Sequence, residues 1–207
     1  RQMYGINLML GAEINILDGK GTLDADEALM KKLDIRIAGI HLLCYEHGTV
    51  EENTYGMVQA IRHPYIQIIS HPGDGTAKLN FEPMVLAAKE CGTLLEINNS
   101  SLKPARGKVD ARSNNLEILR LCKQYEVPVI LGSDAHISFD IANYQYIYEL
   151  LQETEFPEEL IVNRSVEVFM NCLKSQLIML LQILNNLKHY QPTTFCKHYT
   201  MLQILNL

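Results

Sequence analysis

Five short apolar runs, residues 6–12, 35–40, 66–70, 93–97 and 127–133, punctuate the chain and read as strands. Four of them run into residue types that bind divalent metal: Glu13, His41, His71, and Asp134 with His136 two residues on. The run 93–97 ends on Asn98 and Asn99. Helical patterns lie between the runs. The first covers 24–33, with Asp24 as N-cap and Glu27 three residues later. Thr49 and Glu52 form a capping-box signature that opens a helix to about Arg62, where His63-Pro64 stops it. Residues 81–91 carry Pro83 in the first turn and Gly92 just past the end. Residues 113–126 place Leu116, Ile118, Leu119 and Cys122 on one face. A helix over 139–152, a short apolar run at 160–162 and a helix from 165 to about 173 complete the pattern.

Successive strand ends fall about 30 residues apart, the length of a strand and its return helix, with a longer interval before Asp134. A doubly wound sheet suits this alternation. Metal-binding residue types at consecutive strand ends favour a parallel α/β barrel, because there every strand C-terminus faces one mouth. Five or six βα units fall short of the eight typical of closure and leave unpaired edges. With Arg1 in place of Met, the chain reads as a fragment of a longer barrel. Residues 174–207 differ in character, repeating Leu-Gln-Ile-Leu-Asn at 181–185 and 202–206 and Lys-His-Tyr at 188–190 and 197–199. The expected division is a barrel unit over 1–173 and a tail over 174–207 to which no function is assigned.

Composition narrows the functional classes. A chain of 207 residues with 47% hydrophobic and 20% charged residues is long enough to bury a core. The net charge of −6 argues against nucleic-acid binding, while bound cations would still admit a phosphorylated substrate. Cys44, Cys91, Cys122, Cys172 and Cys196 show no paired spacing, as expected for reduced, mostly buried thiols in the cytoplasm. The apolar segment 177–187 is broken by Gln182, Asn185 and Asn186 and is too short for a bilayer, which needs about 20 apolar residues.

Each candidate ligand has an ordinary alternative. Glu13 could belong to a structural salt bridge, and His41 and His71 could be hydrogen-bonded core histidines. Their recurrence at successive strand ends favours a shared ion. Asp134-Ala-His136 is the strongest local signal, since a D-x-H after a buried strand aims a carboxylate and an imidazole into one site. Asp18, Asp24, Asp26 and Asp74 read as turn and cap residues, and His47, His63, His189 and His198 as surface or structural ones. Lys103, Arg106 and Lys108 form the basic cluster nearest the mouth, suited either to a substrate phosphate or to a solvated loop. No G-x-S-x-G or similar nucleophile motif is present.

The segments Gly11-Ala-Glu-Ile-Asn15, Ala38-Gly-Ile-His41, Ile68-Ile-Ser-His-Pro-Gly73, Leu95-Glu-Ile-Asn-Asn-Ser-Ser101 and Leu131-Gly-Ser-Asp-Ala-His136 resemble the PHP (polymerase and histidinol phosphatase) superfamily, most closely its YcdX-type phosphatase branch. The resemblance runs from about Tyr4 to Leu173. It implies a distorted (βα)7-type TIM-like barrel, here without about two N-terminal units, and a site for up to three ions, usually Zn2+ with Mn2+ or Mg2+ as alternatives. Glu13 would bridge two ions, His41 and His71 would complete the set of one, and Asp134 and His136 would serve the others. The family's opening H-x-H strand has no match in this chain, so about one ion is expected. The implied activity is hydrolysis of a small phosphomonoester by a metal-activated hydroxide, weak or absent in so short a chain. The rivals are a non-catalytic metal-binding remnant and, less favoured by the charge, an exonuclease.

Overall fold

The structure is a computed structural model and describes residues 2–3, 5–108 and 110–188. Its centre is a parallel sheet of β3 (Gly11–Asn15), β4 (Ile35–Gly39), β5 (Ile68–Ile69), β6 (Leu94–Asn98) and β7 (Val129–Gly132), paired in that order. The order follows the chain without reversal, whereas a doubly wound sheet has a switch point. The registers align Glu13 with Ile37, Ile69 with Leu95, and Asn98 with Gly132.

The expected first strand is displaced. Residues 6–10 do not enter the parallel sheet: β2 (Ile6–Asn7) pairs antiparallel with β1 (Gln2–Met3), and Ile6, Leu8, Met9 and Leu10 are exposed. β3 starts at Gly11, after the Asp34 carboxylate accepts the Leu10 N–H at 2.7 Å. Glu13 is therefore a mid-strand residue rather than a strand end.

Side chains alternate across each strand. Ile14, Ala38, Ile69, Leu95, Ile97, Val129 and Leu131 pack into the main core beneath the helices. Those helices are α2 (Val50–Ile61), α3 (Phe81–Cys91), α4 (Ala111–Tyr125) and α5 (Gln145–Glu153), each packed on the next. The other face is split along the strands. At the N-terminal ends it is apolar, with Ile35, Ile37, Ile68, Leu94 and Ile130 clustered against Val162, Val168, Phe169 and Cys172. Towards the C-terminal ends it turns polar, with Glu13, Asn15, Ser70, Glu96 and Asn98. The site is built on that half.

Local chemistry sets the element limits. The Thr49 hydroxyl and Glu52 carboxylate satisfy each other's backbone N–H groups, closing the expected capping box of α2. α3 has the expected limits and ends on Gly92 at φ +68. The helix expected over 24–33 shrinks to α1 (Glu27–Met30), capped by Asp26, because Asp24 is engaged by Asn15. The run 160–162 forms 3-10 turns, with Ile161 bridged to Val129 and the Asn163 amide clamping both backbone groups of Leu131. α6 (Val166–Lys188) continues past the expected end near Leu173, and its Gln176 amide donates to the carbonyls of Gln67 and Gly92. His189, Cys196, His198 and the second copies of both tail repeats lie outside the described residues. No helix among the described residues is long and apolar enough to cross a membrane.

Candidate metal centre

Strand alternation puts Glu13 and Asn15 on the same face of β3, above the apolar cluster. β4 ends at Gly39 and β5 at Ile69, and two residues past each comes a histidine, His41 and His71. Glu13 Oε1 lies 3.1 Å from His41 Nε2 and 3.0 Å from His71 Nε2, and the two Nε2 atoms are 3.2 Å apart. Three donor atoms from three strands thus form a nearly equilateral triangle. A tetrahedral zinc with bonds of 2.0–2.1 Å separates its ligand atoms by about 3.3 Å, close to these edges.

Neighbouring groups decide which ring nitrogens carry protons. The Asn15 amide nitrogen donates to Asp24 Oδ2 at 2.5 Å, which leaves Asn15 Oδ1 to face His41 Nδ1 at 2.7 Å. His41 Nδ1 then carries a proton, which leaves Nε2, directed at Glu13 and His71, as the ring atom that would ligate an ion. A proton on Nε2 or a divalent cation between the two atoms makes this 3.1 Å approach to a carboxylate oxygen favourable. On the other side, Asp74 Oδ2 is 3.7 Å from His71 Nδ1, so each histidine has an oxygen acceptor behind it, as in metal sites. The donor set fits a divalent ion with an open fourth position.

The hydrogen bond with His71 holds the Glu13 carboxyl down at about 2 against the opposing effect of burial, with Ser70 and His41 helping. Burial alone would lower His71, but the bond to Glu13 and the charges of Asp74 and Glu96 raise it above its ordinary value. Burial pushes Glu96 up, opposed by bonds from the His71 backbone and Asn98.

The triangle opens into a cavity of about 560 Å3 whose wall includes Asp134, His136, Arg106 and Lys108. Asp134 (φ +48) and His136 thus reach the expected mouth, yet His136 Nδ1 turns back to the Asp134 carbonyl at 3.0 Å. Among the described residues, Glu13, His41 and His71 are the one group of metal-type donors close enough to share an ion. The basic cluster is divided. Lys103 pairs with Asp140 at 2.8 Å and does not line the cavity, Lys108 is held by Asp74 and Thr76, and Arg106 lines the wall with its guanidinium in no hydrogen bond among the described residues.

Some functional residues were missed in the sequence. Asp74 does form the expected turn, accepting from Thr76, but it also faces His71 and Lys108. Asn15 and Glu96 were not singled out. Both belong to polar pairs spaced by two in otherwise apolar strands, Glu13/Asn15 and Glu96/Asn98, and that spacing was the available signal.

The chain is 43% identical over 176 residues to a probable phosphatase of Clostridium novyi and 44% identical over 174 residues to one of Caldicellulosiruptor bescii. A probable phosphatase of Acetivibrio thermocellus is 38% identical over 172 residues. The matches cover 85%, 84% and 83% of this chain and 71%, 71% and 70% of those proteins. No family model matches the chain.

Proposed function

The chain belongs to the family of these probable phosphatases, and on that premise we propose that it hydrolyses a small phosphomonoester using a divalent ion held by Glu13, His41 and His71. The observation that carries this reading is the triangle of donor atoms on the floor of a cavity with cationic walls. An ion bound there supplies charge neutralisation at the phosphoryl oxygens and activates the attacking water. Asn15 holds the His41 imidazole in the ligating orientation, and the Asp74 carboxylate stands 3.7 Å behind His71 Nδ1. Arg106, with its fork of N–H groups uncommitted, binds two phosphate oxygens, and Lys108, anchored by Asp74, adds positive charge beside it. Asp134 and His136 stand on the same wall, where they serve a further ion or the substrate.

The finer assignments rest on the same residues. Donors on or just past three consecutive strands and an unreversed strand order support a distorted barrel of the PHP superfamily, and zinc suits a set of two imidazoles and one carboxylate. The unpaired cysteines among the described residues support a reducing, cytoplasmic setting, although Cys44 is exposed and only Cys122 fully buried. A second reading, a non-catalytic metal-binding protein, is favoured by the separation of Asp134 and His136 from the donor triangle. Hydrolysis of p-nitrophenyl phosphate by the purified chain with added zinc or manganese tests the proposal. Turnover abolished by a chelator and restored by the ion is expected. Ion uptake without turnover would favour the second reading, and turnover indifferent to chelation would contradict both.

A further inference from the structure

We propose that Glu96 is a positioning residue of the metal centre, whose carboxylate fixes the backbone of His71 so that Nε2 points at Glu13 and His41. The inference rests on the metal-binding reading above and extends it by one residue. Glu96 is half-buried on the face of β6 that also carries the fully buried Leu94 and Asn98, so its carboxylate is costly there unless its oxygens are satisfied. Glu96 Oε2 accepts the His71 backbone N–H at 2.7 Å and the Asn98 amide at 3.1 Å. The first bond is short and charge-assisted.

His71 needs such an anchor. Its φ is +32°, in the left-handed region that residues with a Cβ avoid. β5 has ended at Ile69, so a side chain of the neighbouring strand takes the N–H in place of a ladder carbonyl. The strained turn is what lets the ring leave the strand and reach the triangle, while Asp74, three residues on, closes the turn by donating its N–H to the His71 carbonyl at 3.0 Å.

The next strand makes room for the carboxylate. Gly132 pairs with Asn98 across β6 and β7, and a Cβ on it would stand 1.7 Å from Glu96 Oε1. Glu96 itself is outside the donor triangle, with Oε2 already committed to two donors. Glu96 and Gly132 therefore act on the ion through His71.

The test uses the full chain as wild type and as Glu96→Ala, Glu96→Gln, Gly132→Ala and Glu90→Gln. Two quantities are read: zinc affinity by chelator competition, and exchange of the His71 backbone amide by NMR in the zinc-free protein. Glu96→Ala and Gly132→Ala are each expected to weaken zinc about 10–100-fold, the range for a residue that supports a ligand, and to speed exchange of the His71 amide. Glu96→Gln keeps an oxygen acceptor and should restore most of both. Glu90→Gln, on the outer side of α3, should match wild type. Glu96 and Gly132 remove the contact by independent routes, so one variant failing to fold leaves the other to decide. A folded Glu96→Ala chain that binds zinc as wild type does, or that keeps the His71 amide protected, overturns the inference. A wild-type chain that takes up no zinc overturns the metal reading instead, and the amide readout still decides whether Glu96 holds His71.

Discussion

Removing one donor from a three-donor site leaves the other two facing each other without the charge that justifies their proximity. His71→Ala and Glu13→Gln are therefore each expected to weaken zinc binding by more than the roughly 10–100-fold typical of supporting residues. His63→Ala should leave it unchanged, because His63 packs beside Tyr65 and accepts that residue's backbone N–H away from the cavity. Chelator competition checks all three, and equal effects at His63 and His71 would contradict the assignment. Thiol chemistry offers a second residue-scale test. Cys44 is exposed, whereas burial pushes the Cys122 thiol up to about 12. A neutral-pH alkylating reagent should label Cys44 in the folded chain and Cys122 only after unfolding, as mass spectrometry would show. The ligand identities were legible in the sequence because His41 and His71 recur just past apolar runs. The supporting residues were not, since the strand bounds needed to see Glu13/Asn15 as neighbours on one face were displaced by the exposed segment 6–10.

Elements whose signals are local were read closely, and those decided by distant partners were not. α2 and α3 appear where the capping box, Pro83 and Gly92 place them, because each signal acts within one helical turn. Asp24 looked like the cap of the first helix until Asn15, nine residues back, claimed its carboxylate and left the cap to Asp26. The run 160–162 looked like a strand, but Ile161 makes a single bridge to the sheet and Asn163 takes the edge groups of Leu131. The capping box gives an element-scale prediction. Thr49→Ala should lower stability by about 1 kcal/mol in denaturant unfolding, and zinc affinity should be unchanged, because α2 contributes no donor to the triangle. A loss of affinity at unchanged stability would show that α2 acts on the site.

At the scale of the whole molecule, the sheet is divided along its strands rather than only across its faces. One face packs under α2 to α5, and the other is apolar where α6 covers it and polar where Glu13, Asn15, Glu96 and Asn98 meet the cavity. An unreversed parallel order brings residues distant in sequence, such as Glu13 and His71, to one end of that polar half. Approximate strand spacing sufficed to foresee this convergence. The sequence did not reveal that Asp134 and His136 would stand apart from the triangle, because the distance between loop residues depends on backbone turns such as the positive φ at Asp134. The central claim is that three donors on three strands hold one divalent ion. Its most direct test is elemental analysis of the purified chain after equilibration with zinc and exhaustive dialysis. The account predicts about one ion per chain, lost in His71→Ala. A wild-type stoichiometry near zero, or an unchanged ion content in the variant, would contradict it.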